Sequence, residues 1–434
     1  MDIHSLYEIL KEHPIVTTDS RNTPKGSIFF ALKGARFNGN QYATKALESG
    51  CSYAIVDDAE YAISPNIILV NDCLKTLQQL ANYHRNILKI PIIAITGTNG
   101  KTTTKELVTS VLSKEHKTIS TEGNLNNHIG VPLTLLRMKK DDEIAVIEMG
   151  ANHIGEIKTL CEIAEPNYGL ITNIGHAHLE GFGSYENIIR TKGELYDYIR
   201  TRKEGKLFVD YDNPILRKLS ENITSIYYGL ENDNEQFVTG KVISANPYLT
   251  FQWKMAKNYH TVETKLIGDY NLSNALAAIT IGKYFGINGD LISKAISEYK
   301  PNNNRSQLKE TNKNMLIVDS YNANPTSMLA ALQNFEHMNV KNKVLILGEM
   351  KELGSDSRME HQRIIDYIQH HEFSKVFLVG ENFKHIIPTS NNFFTNFANV
   401  NELLEYLQKN PIEGNYVLLK GSRGVQLEKA IEFL

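Results

Sequence analysis

One stretch of this chain leaves little freedom in how it folds. Ile92-Ile93-Ala94-Ile95 runs straight into Thr96-Gly97-Thr98-Asn99-Gly100-Lys101-Thr102-Thr103, and an amphipathic pattern, Leu107, Val108, Val111 and Leu112, follows at once. Four consecutive apolar residues give a strand two faces to bury, which places it inside a parallel sheet covered by helices on both sides. Glycines in the turn let backbone N–H groups converge on an anion with no Cβ in the way, and the next helix adds its positive end. In such a loop the lysine reaches the β- and γ-phosphates of a nucleotide and the following hydroxyl reaches Mg2+, here Lys101 and Thr102. The usual pattern has a glycine five positions before Gly100, where this chain has Ile95; Gly97 supplies the earlier glycine instead.

The alternation of apolar runs and helical spacing recurs along all 434 residues, too many for one core. At roughly 150 residues per domain, about three domains are expected. Residues 1–84 read as a small α/β unit, with strands at Ser27–Leu32, Tyr53–Val56 and Ile67–Val70 and helices at Tyr42–Ser49 and Leu74–Leu88. Residues 85–298 hold the phosphate loop and further buried strands at Ile144–Ile147 and Tyr168–Ile171. Pro301-Asn302-Asn303-Asn304 suits a linker. Residues 299–434 carry strands at Met315–Val318, Val344–Leu347, Val376–Val379 and Tyr416–Leu419, separated by helical patterns in Rossmann-like alternation. The fold class is thus α/β: a central P-loop-type, mostly parallel sheet flanked by a small N-terminal α/β domain and a C-terminal Rossmann-like domain.

Charge and cysteine usage narrow the function. A net charge of -3, from 46 basic and 49 acidic residues, provides no field for gripping nucleic acid. No basic run points to a membrane surface, and no apolar stretch approaches the roughly 20 residues that span a bilayer. The N-terminus carries an early acid, Asp2, and no apolar core of a signal peptide, so the expectation is a cytoplasmic protein without membrane insertion. Cys51, Cys73 and Cys161 are odd in number, far apart and without zinc spacing. They read as small buried hydrophobes in a reducing compartment.

Ligands bind at the carboxyl ends of parallel strands. Glu148 follows Ile144–Ile147, and His178 closes Ile174-Gly175-His176-Ala177-His178 after the strand near Leu170. With Thr102 they form a candidate Mg2+ site, although imidazole is an uncommon ligand for an ion that prefers oxygen. Lys192 lies on a helix capped by Ser184, whose apolar stripe is Ile188, Leu195 and Ile199; spacing alone reads it as a surface lysine.

The segments Gly97–Thr103, Asn124-Leu125-Asn126-Asn127-His128-Ile129-Gly130-Val131-Pro132, Glu148-Met149-Gly150 and Ala177-His178-Leu179-Glu180-Gly181 resemble those of the Mur ligase family, in order along the whole chain. Asp319-Ser320-Tyr321-Asn322-Ala323-Asn324-Pro325-Thr326-Ser327 and Leu347-Gly348-Glu349-Met350-Lys351-Glu352-Leu353-Gly354 are similar to the third-domain signatures of the members that add D-alanyl-D-alanine. The Asp-Asn-Pro-Arg motif of the diaminopimelate-adding members is absent.

The resemblance implies an ATP- and Mg2+-dependent ligase joining D-alanyl-D-alanine to UDP-N-acetylmuramoyl-tripeptide through an acyl phosphate, in peptidoglycan precursor synthesis and hence in cell-wall biogenesis, cell shape and division. It implies that Gly97, Thr98, Asn99, Gly100, Lys101, Thr102 and Thr103 hold ATP phosphates. It implies that Thr102, Glu148 and His178 are metal-site residues, joined by Lys192 if that lysine is carbamylated, and that Lys101, Lys192, His178 and Glu148 are catalytic. Asn271 and Asn274 resemble the adenine-contacting stretch, with Tyr270 where the family often has His. Arg305, Asp319, Tyr321 and Asn324 resemble third-domain residues that meet the nucleotide or the dipeptide on closure. Ser20, Arg21 and Lys33, with Asn126 and Asn127, resemble the UDP-substrate contacts. A monomer is expected. Two other readings compete: a folylpolyglutamate synthetase-like ligase, and a P-loop switch that hydrolyses nucleotide without ligation.

Overall fold

Apolar runs with both faces to bury become the central strands of three sheets. The computed structural model describes residues 1–35, 37–230, 237–384, 386 and 393–434. Val16–Thr17, Ile28–Phe30, Tyr53–Val56 and Ile67–Leu69 form a four-stranded parallel sheet in that order. The expected strand at Ser27–Leu32 is trimmed because the chain turns at its end, where Leu32 N–H donates back to Phe30 O at 3.0 Å. The helix expected over Tyr42–Ser49 is a 3-10 turn, Gly39–Tyr42, followed by Ala43–Glu48.

The largest sheet has nine strands. From one edge it runs Thr118–Ser120, Ile144–Glu148, Ile92–Thr96, Tyr168–Ile171, Lys206–Asp210, Ser225–Leu230 and Val238–Ala245, all parallel. Tyr248–Met255 and Asn258–Ile267 then add an antiparallel edge. There Leu249, Phe251 and Trp253 alternate inward, the period-2 signature of a sheet with one dry face. The third sheet contains Gln307–Glu310, Met315–Asp319, Tyr416–Lys420, Lys343–Gly348, Lys375–Val379 and Phe394–Phe397, parallel except for the first strand. Cys51, Cys73 and Cys161 are free and buried, as expected.

Packing differs between the units, and the difference positions the site. Helix Cys73–Leu88 shares one apolar core with helices Gly130–Leu136 and Glu156–Ala164, so the first sheet is welded to the second. Arg85 is buried in that seam and donates to Ala164 O at 3.0 Å and Glu165 O at 2.8 Å, satisfying carbonyls at a helix end. The third unit meets the central one at the cavity through polar contacts: the Asn99 and Asn324 amides, Thr326 Oγ1 accepting from His176 N at 3.2 Å, and Glu352 O accepting from Glu180 N at 3.3 Å. Beyond the cavity, Ile267 and Tyr248 of the antiparallel edge pack into the third unit's core, so this seam mixes polar and apolar contacts.

Candidate active site

The carboxyl ends of the central strands open into a cavity of about 1420 Å3 lined by residues from all three units. Thr98 N–H donates to Asn173 O at 2.9 Å and Asn99 N–H to Asn173 Oδ1 at 3.0 Å, while Thr172 Oγ1 donates to Asn99 O at 2.6 Å. Thr172 and Asn173 thereby clamp the phosphate loop from the neighbouring strand, a role the sequence reading did not assign. Glycine is required twice. Gly97 has φ 142°, and a Cβ there would lie 2.0 Å from Thr172 Oγ1. Gly100 has φ 77°, and a Cβ there would lie 2.6 Å from Asn274 Oδ1.

Helix Lys101–Leu112 starts at the loop, so its first N–H groups face the cavity. Lys101 Nζ folds back to donate to Gly97 O at 2.7 Å and Thr98 O at 2.9 Å. Burial pushes its ammonium down to about 8, with Arg305 acting in the same direction and Glu148 opposing.

Glu148 is the most telling acid. Its side chain is 1% exposed at the end of Ile144–Glu148. Oε1 accepts from Asn126 Nδ2 at 2.8 Å, whereas Oε2 is buried without any donor. A buried carboxylate oxygen without a donor is costly unless a cation completes it. Thr102 is buried beside the same cavity. His178 is half-buried with a left-handed backbone, φ 51°, and its Nδ1 is paired with Glu352 Oε2 of the third unit. Burial pushes the imidazole down, and Glu352 opposes it. Among the described residues no group of three or more His, Cys, Asp or Glu side chains is arranged to hold a metal ion, so the Thr102 hydroxyl or a modified lysine would have to contribute.

Lys192 corrects the reading from spacing. It is 3% exposed, with Nζ 5.6 Å from the centroid of the Phe182 ring. Its position follows Ile188 by four and precedes Leu195 by three, so it belongs to the inward stripe of helix Tyr185–Arg200. Burial pushes its ammonium down to about 7, helped by Lys101 and opposed by Glu156 and Glu194.

Asn271 and Asn274 line the cavity but are largely committed to structure. Asn271 donates to Ile267 O at 2.8 Å, Asn274 donates to Asn271 Oδ1 at 2.9 Å, and Thr104 Oγ1 donates to Asn274 Oδ1 at 3.1 Å. This chain of bonds braces helix Asn271–Tyr284 against the phosphate-loop helix. Across the cavity, Asp319 accepts from Lys420 Nζ at 2.6 Å and from Ser306 N at 3.3 Å. Arg305 lies 3.7 Å and Arg423 5.4 Å from the Tyr321 ring centroid. Asn324 caps helix Pro325–His337, and its Nδ2 donates to Asn99 Oδ1 at 2.8 Å.

The cavity therefore gathers every candidate from the second and third units, including Thr103, Asn126 and Asn127. Ser20, Arg21 and Lys33 do not line it. Arg21 forks onto Asp19, with Nε and Nη2 both at 2.9 Å, and Lys33 pairs with Asp57 at 2.9 Å. From the first unit, Leu74 and Gln78 reach the cavity instead. Lys420, the last residue of its strand, and Arg423, on the turn beyond it, carry no signal in the sequence until the strand order brings them beside Asp319 and Tyr321.

Comparison with known proteins fits this architecture. Residues 13–85 match the Mur ligase family, catalytic domain; residues 95–282 match the Mur ligase middle domain; and residues 304–423 match the Mur ligase, glutamate ligase domain. The chain is 35% identical over 430 residues to the UDP-N-acetylmuramoyl-tripeptide--D-alanyl-D-alanine ligase of Bacillus subtilis (strain 168), covering 96% of this chain and 92% of the relative. Crystal structure I of MurF from Acinetobacter baumannii superposes with a TM-score of 0.86 at 31% identity, covering 96% of this chain and 92% of that one. MurF ligase from Thermotoga maritima, in complex with ADP, gives a TM-score of 0.86 at 26% identity, covering 98% and 97%. With three family models matched in sequence order and a relative above 30% identity along nearly its full length, the chain belongs to the Mur ligase family.

Proposed function

We propose that this protein is a cytoplasmic, monomeric, ATP-dependent ligase that joins D-alanyl-D-alanine to the terminal carboxylate of UDP-N-acetylmuramoyl-tripeptide. The supporting observation is the convergence on one cavity of an anion-binding loop, a buried carboxylate with an orphaned oxygen, a lysine of depressed basicity and a cationic wall from the third unit. In this reading residues 1–84 hold the uridine nucleotide through Ser20, Arg21 and Lys33, residues 85–298 hold ATP, and residues 299–434 close over the site. The peptide runs past Asn126 and Asn127 to the phosphate loop.

The carboxylate of the tripeptide attacks the γ-phosphorus of ATP and ADP leaves, giving an acyl phosphate. The dipeptide amine attacks the acyl carbon, loses a proton, and phosphate departs with one former carboxylate oxygen. Gly97 to Thr103 and Lys101 hold the phosphates in line and stabilise their charge, so catalysis is positioning plus electrostatics. Mg2+ fits the orphaned Glu148 Oε2; Thr102, Glu148 and His178 would hold it, and when bound it neutralises charge on the transferring phosphoryl group. Lys192, neutral in half of molecules near pH 7 if its pKa is about 7, is suited to take up CO2, forming an N–C bond and releasing a proton; the carbamate then offers oxygens to a cation. Closure excludes water from the acyl phosphate. The hinge lies at Pro301–Asn304, which ends on Asn304 with φ 55° and is followed by Ser306 with φ 48°.

The test supplies UDP-N-acetylmuramoyl-tripeptide, D-alanyl-D-alanine and Mg·ATP and weighs the product. A pentapeptide formed with one ADP per amide, and lost in Lys101→Ala, supports the reading. Nucleotide hydrolysis that ignores both substrates overturns it.

A further inference from the structure

The third-unit wall of the cavity carries more positive charge than its own acids neutralise. Lys420 is paired with Asp319 at 2.6 Å and Lys351 with Glu349. Two guanidinium groups remain. Arg305 and Arg423 both lie against the Tyr321 ring, 3.7 and 5.4 Å from its centroid, and neither forms an ion pair with a described carboxylate. Arg305 keeps a buried Nε without an acceptor, whereas Arg423 is exposed to the cavity.

The two cations face different loads. Arg305, half-buried, lies within electrostatic reach of Lys101 and lowers its proton affinity, which puts it on the side of the Gly97–Thr103 loop; Arg423, on the turn that follows Tyr416–Lys420, is exposed to the cavity and free to meet a second ligand. The incoming dipeptide has its own geometry. Its amine must sit beside the acyl phosphate, and two extended residues reach at most about 7 Å. Its carboxylate therefore needs a cation a short step outside the phosphate grip. Arginine on an aromatic face is pre-ordered and presents a planar fork that matches a carboxylate.

We propose that Arg423, laid against Tyr321, receives the terminal carboxylate of the incoming dipeptide and so selects a free acid over an amide at that end. The inference rests on the ligase reading above and deepens it. Ser422 fixes the same turn, its Oγ accepting from Lys351 N at 3.0 Å, so the fork is carried on a braced loop.

The test measures kcat/KM for D-alanyl-D-alanine and for D-alanyl-D-alaninamide, with KM for ATP, in the wild type, Arg423→Gln and Arg423→Lys. The wild type should prefer the acid by roughly 10- to 100-fold, the value of a hydrogen-bonded charge. Arg423→Gln should erase that preference while leaving KM for ATP unchanged, and Arg423→Lys should keep part of it. An acid preference that survives Arg423→Gln, or a loss that falls on KM for ATP, overturns the proposal. Should Arg423→Gln not fold, Arg423→Lys decides: a reduced preference supports the proposal and an unchanged one overturns it. A wild type that joins neither dipeptide defeats the ligase reading itself, a separate outcome.

Discussion

Replacing Lys192 by arginine should abolish carbon dioxide uptake by the folded protein. Burial pushes Lys192 from 10.5 to about 7. At pH 7 about half of such amines are neutral, against roughly one in 3000 for an ordinary lysine, a gain of about three orders of magnitude in the reactive form. The assay is 13C NMR of the protein in labelled bicarbonate near pH 8. One carbamate resonance should appear in the wild type and be missing from Lys192→Arg. A wild-type spectrum without that resonance, or an arginine variant that keeps it, refutes the reasoning. The same burial makes a stability claim. The unfolded chain holds the lysine proton up to about 10.5 while the folded protein releases it near 7, so stability rises with pH across that window. At about 1.4 kcal/mol per pH unit the window is worth about 5 kcal/mol. Lys192→Met should therefore raise the thermal midpoint most below pH 7 and by less and less toward pH 10; a pH-independent difference would contradict the assigned burial.

Other expectations follow from single contacts. Gly100→Ala forces a Cβ to 2.6 Å from Asn274 Oδ1 at φ 77°. The left-handed backbone alone costs about 1–2 kcal/mol, so urea denaturation should show at least that loss, and KM for ATP should rise. Glu148→Gln replaces the orphaned oxygen environment with a neutral amide. The Mg2+ concentration for half-maximal activity should rise by roughly 10- to 100-fold or more; an unchanged Mg2+ dependence would separate Glu148 from the metal. Lys420→Met strips the cation from Asp319, whose pair is 2.6 Å and mostly buried. The loss should be about 3–5 kcal/mol, and the double variant with Asp319→Asn should recover most of it in chemical denaturation.

The parallel strands were legible because burial on both faces writes itself as a continuous apolar run: Ile92–Ile95, Ile144–Ile147, Val344–Leu347 and Val376–Val379 all lie inside strands of the structure. The antiparallel edge at Tyr248–Ile267 is harder to read, although Leu249, Phe251 and Trp253 alternate as a half-buried strand should. Its polar alternate residues hide it from a search for unbroken runs. Among site residues, Gly97 to Thr103 declare themselves locally, because an anion grip is built from consecutive backbone. Lys192 carries a charge that argues for the surface, yet it is buried. Its spacing from Ile188 and Leu195 already set it on the inward stripe. Thr172, Lys420 and Arg423 had no local signal, since their roles arise only when distant strands become neighbours.

The central claim is that phosphate passes through the peptide carboxylate, and oxygen labelling tests it most directly. UDP-N-acetylmuramoyl-tripeptide carrying 18O in its terminal carboxylate is turned over with D-alanyl-D-alanine and unlabelled Mg·ATP, and the released phosphate is weighed. The account predicts labelled oxygen in the phosphate, one transferred atom for each amide formed. Phosphate that emerges unlabelled while amide accumulates would contradict it.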